Sequence, residues 1–278
     1  MLIGEVPEKR RTPLAIRRRR LRVQIERLNA AEQGTPMQEE PVLRTALVFA
    51  GDDGRARTAV EARLGPLDGV VLASLDDHQE GAVRRELLQM DLTMILVSRD
   101  YDPSRLTTAR VPRELGGLSF LCLSPLASLH SRRGDLLSVA DSVLNLPDEL
   151  PETMAAVTAA VLEPLLVHGL VCYRFSDLQS LAGKLGEFRV TSVQRDPRCL
   201  VPELEEVLVS LRPTAVQFVI RAGADLRLSH VNLLTRVAQE ILPPDCEILF
   251  QALVEPGLRG YEVAILANAC EQAADRPR

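Results

Sequence analysis

The chain has 278 residues, of which 46% are hydrophobic and 26% are charged, a composition typical of globular proteins and not of disordered ones. The net charge of −5 is unevenly spread, because residues 8–28 carry +7 and residues 29–278 carry −11. An acidic body with a short basic arm excludes a protein that binds duplex nucleic acid over its whole surface.

The five cysteines indicate neither a metal site nor a disulfide framework. Their number is odd, they are widely spaced, and no C-x-x-C pair occurs. No apolar run follows the basic N-terminal residues, so the sequence does not predict a secretory signal. We therefore expect a cytoplasmic protein without a structural metal.

Residues 1–40 are predicted to form a basic arm and a linker. Apolar residues recur at helical spacing from Leu14 to Leu28, and the Gly-Thr-Pro stretch that begins at Gly34 breaks any helix. Such an arm is either a solvated segment or a contact to an anionic membrane surface, a nucleic acid or an acidic protein. No aromatic residue precedes Gln38, which disfavours base stacking and deep insertion into lipid. The arginines of the arm are Arg17, Arg18, Arg19, Arg20 and Arg22.

Residues 41–168 alternate short apolar runs with helical patterns, which predicts a parallel α/β sheet covered on both faces. An apolar helix at 151–167, started by Pro151, is predicted to connect this region to the rest of the chain. The predicted strands are Leu43–Ala50, Val70–Leu75, Leu92–Ser98, Leu118–Leu123 and Ser142–Leu146, with helices at Arg55–Leu64 and Glu80–Met90.

Residues 169–278 follow a different plan, a βαβαββ unit of the α+β class. The last two strands are expected to pair as a hairpin across the loop from Glu255 to Gly260. The predicted strands are Phe188–Gln194, Thr214–Ala222, Glu247–Leu253 and Tyr261–Ala269. The predicted helices are Pro202–Leu211 and one in which Val231, Leu234, Ala238 and Ile241 share a face.

The residues alone predict no catalytic group. No nucleophile elbow, P-loop or dinucleotide-binding loop occurs in the chain. A glycine-flanked acidic turn is either a residual nucleotide or metal loop or an ordinary turn between a strand and a helix, and turn chemistry favours the latter. That turn consists of Gly51, Asp52, Asp53 and Gly54. We therefore predict no catalytic, cofactor or metal site.

Several blocks of the chain resemble FtsZ, the bacterial division protein of the tubulin family. Residues 215–231 resemble the family segment GVLVNITGG-DLTLEEV, residues 246–258 resemble ANIIFGAVIDPSL, and residues 261–268 resemble the closing strand VRVTVIATG. In the first half, residues 139–150 are similar to VDTLIVIPNDRLL. The resemblance implies a tubulin/FtsZ-like two-domain fold, with a shortened, degenerate nucleotide-binding-like α/β half and an α+β half.

The resemblance also implies that the catalytic loop is incomplete. The FtsZ loop G-L-I-N-V-D-F-A-D acts on the GTP of the neighbouring subunit and aligns with residues 169–177. Arg174 replaces its first Asp, and a guanidinium cannot accept a proton, whereas Asp177 keeps the second. Arg174, Phe175 and Asp177 are the candidate interaction loop, either a subunit contact or a loop that drifted after catalysis was lost.

The phosphate-binding loops of the family are changed as well. The cradle G-G-G-T-G-T-G, whose glycines let backbone N–H groups close around phosphate, aligns with residues 99–105, which contain no glycine. The earlier loop GVGGGGNA aligns with residues 50–56, where Asp52 and Asp53 would repel a triphosphate unless a metal ion intervened. The resemblance therefore implies a protein without a nucleotide cofactor.

These changes lead to the hypothesis of a non-catalytic FtsZ-like protein, a pseudo-GTPase that regulates, caps or scaffolds filaments of an FtsZ- or tubulin-like partner in cell division or cytoskeletal organisation. Three alternatives stay open: a divergent GTPase that polymerises, a structural protein that self-assembles without nucleotide, and a membrane or nucleic-acid adaptor that uses the basic arm. The adaptor would bind in a strongly salt-dependent way and would lose binding on deletion of residues 1–38.

Overall fold

In a computed structural model of the chain, the described residues form nine strands of one sheet. The structure describes residues 43–51, 54–65, 70–74, 90–98, 117–125, 140–167, 169–171, 173–255 and 257–268. The basic arm, Asp52, Asp53 and residues 80–89 of a predicted helix lie outside these ranges.

The strands are β1 (Thr45–Ala50), β2 (Val70–Ser74), β3 (Leu92–Val97), β4 (Leu118–Leu123), β5 (Ser142–Asn145), β6 (Glu187–Val190), β7 (Ala215–Ala222), β8 (Glu247–Val254) and β9 (Tyr261–Ala267). Their order across the sheet is β2-β1-β3-β4-β5-β6-β9-β7-β8. Neighbouring strands from β2 to β6 are parallel, β9 runs antiparallel to β6 and β7, and β7 and β8 are parallel. The mixed sheet therefore combines a parallel first half with the predicted α+β half.

The helices among the described residues are α1 (Arg55–Leu64), α2 (Pro151–Leu166), α3 (Phe175–Ala182), α4 (Val201–Leu211) and α5 (Leu228–Ile241). A short 3-10 turn, Pro197–Leu200, precedes α4. None of these helices is long and apolar enough to cross a bilayer. The bounds of α1 and β4 agree with the sequence predictions, and the other predicted elements within the described ranges agree to within a few residues.

Helix α2 is the core around which both halves are packed. Pro151 occupies its first turn, where the missing backbone N–H is no loss, and every residue from Thr153 to Leu162 is buried. A helix that is apolar on all sides needs other elements on all sides. The buried cluster that contains α2 includes Phe120 from the first half and Val219 from the second.

The parallel strands bury side chains on both faces of the sheet. All six residues of β1, β3 and β4 are buried. Leu47 and Met94 belong to the cluster around α2, whereas Val48 and Ile95 belong to a separate cluster. Because successive residues of a strand point to opposite faces, these clusters lie on the two sides of the sheet. This arrangement confirms the predicted parallel sheet with two buried faces.

Among the described residues, one ladder pair connects the two halves of the sheet. Asn145 of β5 pairs with Glu187 of β6, whereas β1 and β3 pair over six residues. The Asn145 backbone N–H donates to the Gly186 carbonyl at 2.9 Å, and its side-chain amide donates to Glu187 Oε1 at 2.8 Å. The division of the chain into separate domains at residues 168 and 169 stays a prediction.

The predicted hairpin between the last two strands is wrong. Strand β9 lies between β6 and β7, and β8 pairs in parallel with the other side of β7. The inner strands β7 and β9 are buried at every position, whereas residues 247–250 of the outer strand β8 are half-buried. Helix α5 connects β7 to β8, and such a crossover lets two successive strands pair in parallel.

Because α2 lies in the core, the loss of unfolding free energy caused by a Leu→Ala substitution should depend strongly on its position in or beside this helix. Leu162 is fully buried, so Leu162→Ala should lower the free energy of unfolding by about 2–5 kcal/mol through lost contacts and a residual cavity. Leu150, at the start of the same helix, is 54% exposed, so Leu150→Ala should change it by less than about 0.5 kcal/mol. Urea unfolding of both variants measures the difference, and equal losses would contradict this account of the core.

Candidate functional site

The acidic turn of the sequence analysis lies at the carboxyl end of β1, directly before α1. Gly51 and Gly54 both have positive φ, 74° and 78°, a conformation that favours glycine. Ser98, which follows β3, donates its backbone N–H to the Ala50 carbonyl at 2.9 Å and its hydroxyl to the Gly51 carbonyl. The Gly54 carbonyl accepts from the Thr58 hydroxyl at 2.9 Å. These contacts fix the two ends of the turn.

Residues 99–116 and 126–139, which follow β3 and β4, lie outside the described residues. The alignment of the phosphate cradle with residues 99–105 therefore stays a prediction. The same holds for the repulsion of a triphosphate by Asp52 and Asp53.

The second predicted region, residues 169–177, lies against the outer strand β8. The Leu170 backbone N–H donates to the Ala252 carbonyl at 2.8 Å. Gly169 approaches the same strand so closely that an added Cβ would lie 2.6 Å from the Ala252 oxygen and 2.7 Å from Gln251 Nε2. Only glycine permits this approach, so the glycine fixes how the segment crosses β8.

Tyr173 anchors the next part of this segment to the sheet. Its hydroxyl donates to Gln217 Oε1 at 2.8 Å, and Gln217 is a fully buried residue of β7. Burial, together with the nearby Asp177 carboxylate, raises the pKa of Tyr173 well above its ordinary value. The phenol therefore stays protonated and remains a hydrogen-bond donor at every physiological pH.

The candidate interaction loop is in fact the start of a helix. Arg174 is the N-cap of α3, whereas Phe175 and Asp177 lie in its first turn. Asp177 Oδ2 accepts from the Arg174 backbone N–H at 3.0 Å, and the Asp177 N–H donates to the Arg174 carbonyl at 2.9 Å. This capping arrangement gives the Asp177 carboxylate a structural role that needs no catalysis. The sequence prediction of a loop is wrong for Phe175 and Asp177.

Exposed apolar side chains and an exposed cation lie on this segment and on the elements that flank it. Val167, Leu170 and Val254 are 41%, 36% and 39% exposed, and Phe175 is half-buried against the core. The Arg174 side chain is exposed and makes no ion pair with any described residue. We call Val167, Leu170, Arg174 and Val254 the α3 surface. Its chemistry suits contact with a protein that carries apolar and acidic groups.

A buried cluster of charges, which the sequence analysis did not predict, lies between α1, α2 and the second half of the sheet. Arg221 of β7 has a side chain only 5% exposed. Its guanidinium lies 3.0 Å from Glu163 Oε2, 2.7 Å from Glu255 Oε2 and 3.2 Å from Glu262 Oε1. Arg63 of α1 contacts the same Glu262 carboxylate. The signal in the sequence was Arg221 itself, a charge inside an otherwise apolar strand.

The environment of Glu163 in this cluster changes the pKa of its carboxyl group. Burial raises its pKa from 4.5 to about 7, the Glu255 and Glu262 carboxylates add to the rise, and Arg63 opposes it. A perturbed carboxyl group is one sign of a functional site, but ion-pair networks that stabilise a fold produce the same sign.

A cavity of about 360 Å³ lies between α1 and the edge strand β2. Its lining is apolar apart from Glu61, which pairs with Arg57 on the same helix at 3.0 Å. Gly65 follows α1 and Val70 begins β2, so the cavity lies at the opposite end of the parallel strands from Gly51. An apolar lining with one carboxylate does not suit a nucleoside triphosphate, because phosphate oxygens need hydrogen-bond donors or cations.

The described residues contain no group of three or more His, Cys, Asp and Glu side chains suited to hold a metal ion. His230, which is half-buried, has Nδ1 2.8 Å from the Tyr261 hydroxyl, and the two rings meet edge to face. Tyr261 is buried, so this contact secures α5 to the start of β9.

The strand order and the central helix define a class of architecture, the tubulin/FtsZ-like fold. An empty FtsZ dimer from M. jannaschii matches with a TM-score of 0.62 at 13% identity, covering 90% of this chain and 92% of that chain. CetZ from Methanosaeta thermophila matches with a TM-score of 0.56 at 10% identity, covering 84% of this chain and 88% of that chain.

A third similar structure is TubZ from Bacillus thuringiensis serovar israelensis, solved as protofilaments in the GDP form. It matches with a TM-score of 0.54 at 11% identity, covering 87% of this chain and 88% of that chain. No protein-family model matches the chain, and no curated protein matches its sequence. At these identities the likeness establishes the fold, which confirms the predicted architecture.

The close approach of Gly169 to β8 generates a prediction. Gly169→Ala should lower the free energy of unfolding by about 1–3 kcal/mol, because the methyl group would overlap backbone and amide atoms of β8. It should also increase hydrogen exchange in residues 169–177. Gly183→Ala is the matched control, since Gly183 has negative φ and no atom within 4 Å of an added Cβ. Similar stability and exchange in the two variants would show that the segment does not depend on this contact.

Proposed function

We propose that the chain is a non-catalytic FtsZ-like protein of the cytoplasm. It binds an FtsZ- or tubulin-like partner through the α3 surface and regulates, caps or scaffolds the partner's filaments in cell division or cytoskeletal organisation. The single observation that carries the proposal is the pair Arg174 and Asp177. Arg174 presents an exposed cation, and the Asp177 carboxylate accepts a backbone hydrogen bond at the start of α3.

The chemistry of this pair supports binding without turnover. Hydrolysis of a phosphoanhydride needs a group that orients a water molecule and accepts its proton. A guanidinium has no acceptor atom and stays charged, so Arg174 cannot supply that function. Asp177 already accepts the Arg174 backbone N–H, and leaving that donor without a partner would weaken the start of α3.

The fold and the exposed residues support this choice of partner. The similar structures include an FtsZ dimer and TubZ protofilaments, so assembly between subunits of this architecture is the interaction to expect. The α3 surface presents Val167, Leu170 and Val254 beside a segment fixed by Gly169 and Tyr173. A preformed surface loses little conformational freedom on binding.

The proposal predicts a change in the assembly of a polymerising FtsZ. Addition of this protein should alter polymer mass in sedimentation, or alter GTP turnover. Arg174→Glu should abolish most of the effect, because a reversed charge repels an acidic partner surface. Arg236→Glu is the matched control, since Arg236 is exposed on α5, away from the α3 surface. No effect of the unchanged protein, or equal effects of both variants, would contradict the proposal.

A divergent GTPase is the second candidate, and one observation favours it. Gly51 and Gly54 keep positive φ at the end of β1, so the backbone there is open to a close ligand. Equilibrium binding of labelled GTP, with and without magnesium, tests it directly. Sub-micromolar binding, or copurification with guanine nucleotide, would replace the first proposal with this one.

A further inference from the structure

The cavity between α1 and the edge strand β2 is large for an apolar space. Leu47 and Val60 line it and are buried, whereas Leu64, Val70 and Leu72 line it and are only half-buried. An apolar cavity of roughly 150 Å³ already holds a benzene-sized group. At about 360 Å³, this cavity therefore has room for more than one aliphatic side chain.

The predicted helix Glu80–Met90 is not expected to cover this cavity. It connects β2 to β3, whereas α1 connects β1 to β2, in the opposite direction across the sheet. Because crossovers between parallel strands are right-handed, helices that cross in opposite directions lie on opposite faces. Met90 packs on the cluster of Val48 and Ile95, whereas Val60 of α1 belongs to the cluster on the other face. An occupant of the cavity therefore has to come from another segment.

The basic arm joins the described part of the chain beside this cavity. Leu43, the first described residue, packs on the same cluster as Leu64 and Val70. Thr45 pairs with Val70 where β1 and β2 begin. Leu43, Thr45 and Leu47 lie on the same face because side chains alternate along a strand. The chain before Leu43 thus leads away from the face and the end of the sheet at which the cavity lies.

The arm has the length and the pattern to reach and fill the cavity. A helix over residues 14–28 would be about 22 Å long, and α1 with its ten residues is about 15 Å long. Residues 29–42 span up to about 45 Å when extended, so the helix can turn back along α1. Leu21, Ile25 and Leu28 recur at a spacing of four and three, which places them on one face of that helix.

The strand beside the cavity is one that a covering segment would protect. β2 pairs only with β1 among the described residues, and its sequence VVLAS contains no charged residue and no Pro. Charges and prolines are the usual means by which an edge strand avoids pairing with another chain. Val71 in the middle of β2 is 38% exposed. A helix docked between α1 and β2 would supply the missing cover.

Charge does not favour a basic arm at this place, so apolar contact has to hold it. Helix α1 contains three arginines and one glutamate, and that glutamate, Glu61, already pairs with Arg57 at 3.0 Å. A contact of the arm with an anionic membrane surface or an acidic protein would weaken at high salt. Apolar docking in the cavity would not, and the two are therefore separable by experiment.

We propose that residues 14–28 form an amphipathic helix that docks in the cavity of their own chain and inserts Leu21, Ile25 and Leu28 between α1 and β2. The docked helix shields the edge of β2 and fixes the position of the arm. Docking needs neither a nucleotide nor the partner contact at the α3 surface.

Two substitutions of the same kind on opposite faces of the arm helix test the proposal in the full chain. Ile25→Asp places a carboxylate on the apolar stripe, and Val23→Asp, the matched control, places it about 160° away. Hydrogen exchange of β2 and of the last turn of α1 should become about tenfold faster or more in Ile25→Asp, as expected for the loss of one buried aliphatic side chain. Val23→Asp should exchange like the unchanged protein. Equal exchange in the two variants would overturn the proposal.

Limited digestion with trypsin reports on the arm itself. Cleavage after Arg17 and Arg18, which lie away from both substitutions, should be faster in Ile25→Asp than in Val23→Asp. The protection of these sites in the unchanged protein should persist in about 1 M salt, where exposed charges are screened within about 3 Å. Protection that high salt removes would indicate a charge contact and would overturn apolar docking.

Sedimentation at several concentrations identifies the chain that supplies the arm. Docking within one chain predicts the same protection of β2 at every concentration. Protection that rises with concentration and accompanies a dimer would assign the cavity to the arm of a second copy and would overturn docking within one chain. Arg174→Glu should leave every one of these measurements unchanged, so this proposal and the proposed function fail separately.

Discussion

The burial of α2 on all sides is the constraint on which the rest of the structure depends. Its residues from Thr153 to Leu162 have no exposed face, so the first half of the sheet and the second half must both pack against it. That packing places its start beside the turn after β5 and its end at the segment that crosses β8. The positions of Gly169, Tyr173 and α3 are consequences of where this helix ends.

The residue that resembles a catalytic acid has a local structural explanation. A carboxylate three positions after an N-cap satisfies a backbone donor at the start of a helix and interacts favourably with the helix dipole. Asp177 does both at α3. The presence of Asp177 is therefore no evidence of hydrolysis. The replacement of the first Asp of the FtsZ loop by Arg174 says more about the chemistry of this segment. The course of the segment along β8 is held by backbone contacts such as that of Leu170, which do not depend on the side chains at positions 174 and 177.

Much of the fold was predictable because the local signals were strong. The continuous apolar runs of β1, β3 and β4 are typical of strands buried on both faces, and those strands occur as predicted. The pairing of the last strands was not predictable from the turn, since the loop from Glu255 to Gly260 fits a hairpin as well as a crossing. Tertiary burial decided that question.

The site was predictable only in part for a similar reason. The alignment indicated residues 169–177. The start of α3 at Phe175 depends on Asp177, whose carboxylate caps the helix from its first turn. This capping role was not recognised, because the same Asp belongs to a segment that resembles a catalytic loop. The charge cluster needs five residues that are distant in sequence, from Arg63 to Glu262. No pattern in one sequence links such positions, although Arg221 within β7 marks one member.

The distribution of that cluster over four elements and the residue that follows β8 constrains how the sequence can diverge. Removing one partner of a buried ion pair leaves its counterpart unsolvated and typically costs about 3–5 kcal/mol, whereas exchanging all of them for apolar side chains can be neutral. Drift at Arg221 therefore has to be matched at Glu163 and Glu262, and related chains should differ at these positions jointly. The residues of this cluster, which lie where the two halves of the sheet meet, should therefore change together in evolution or stay the same.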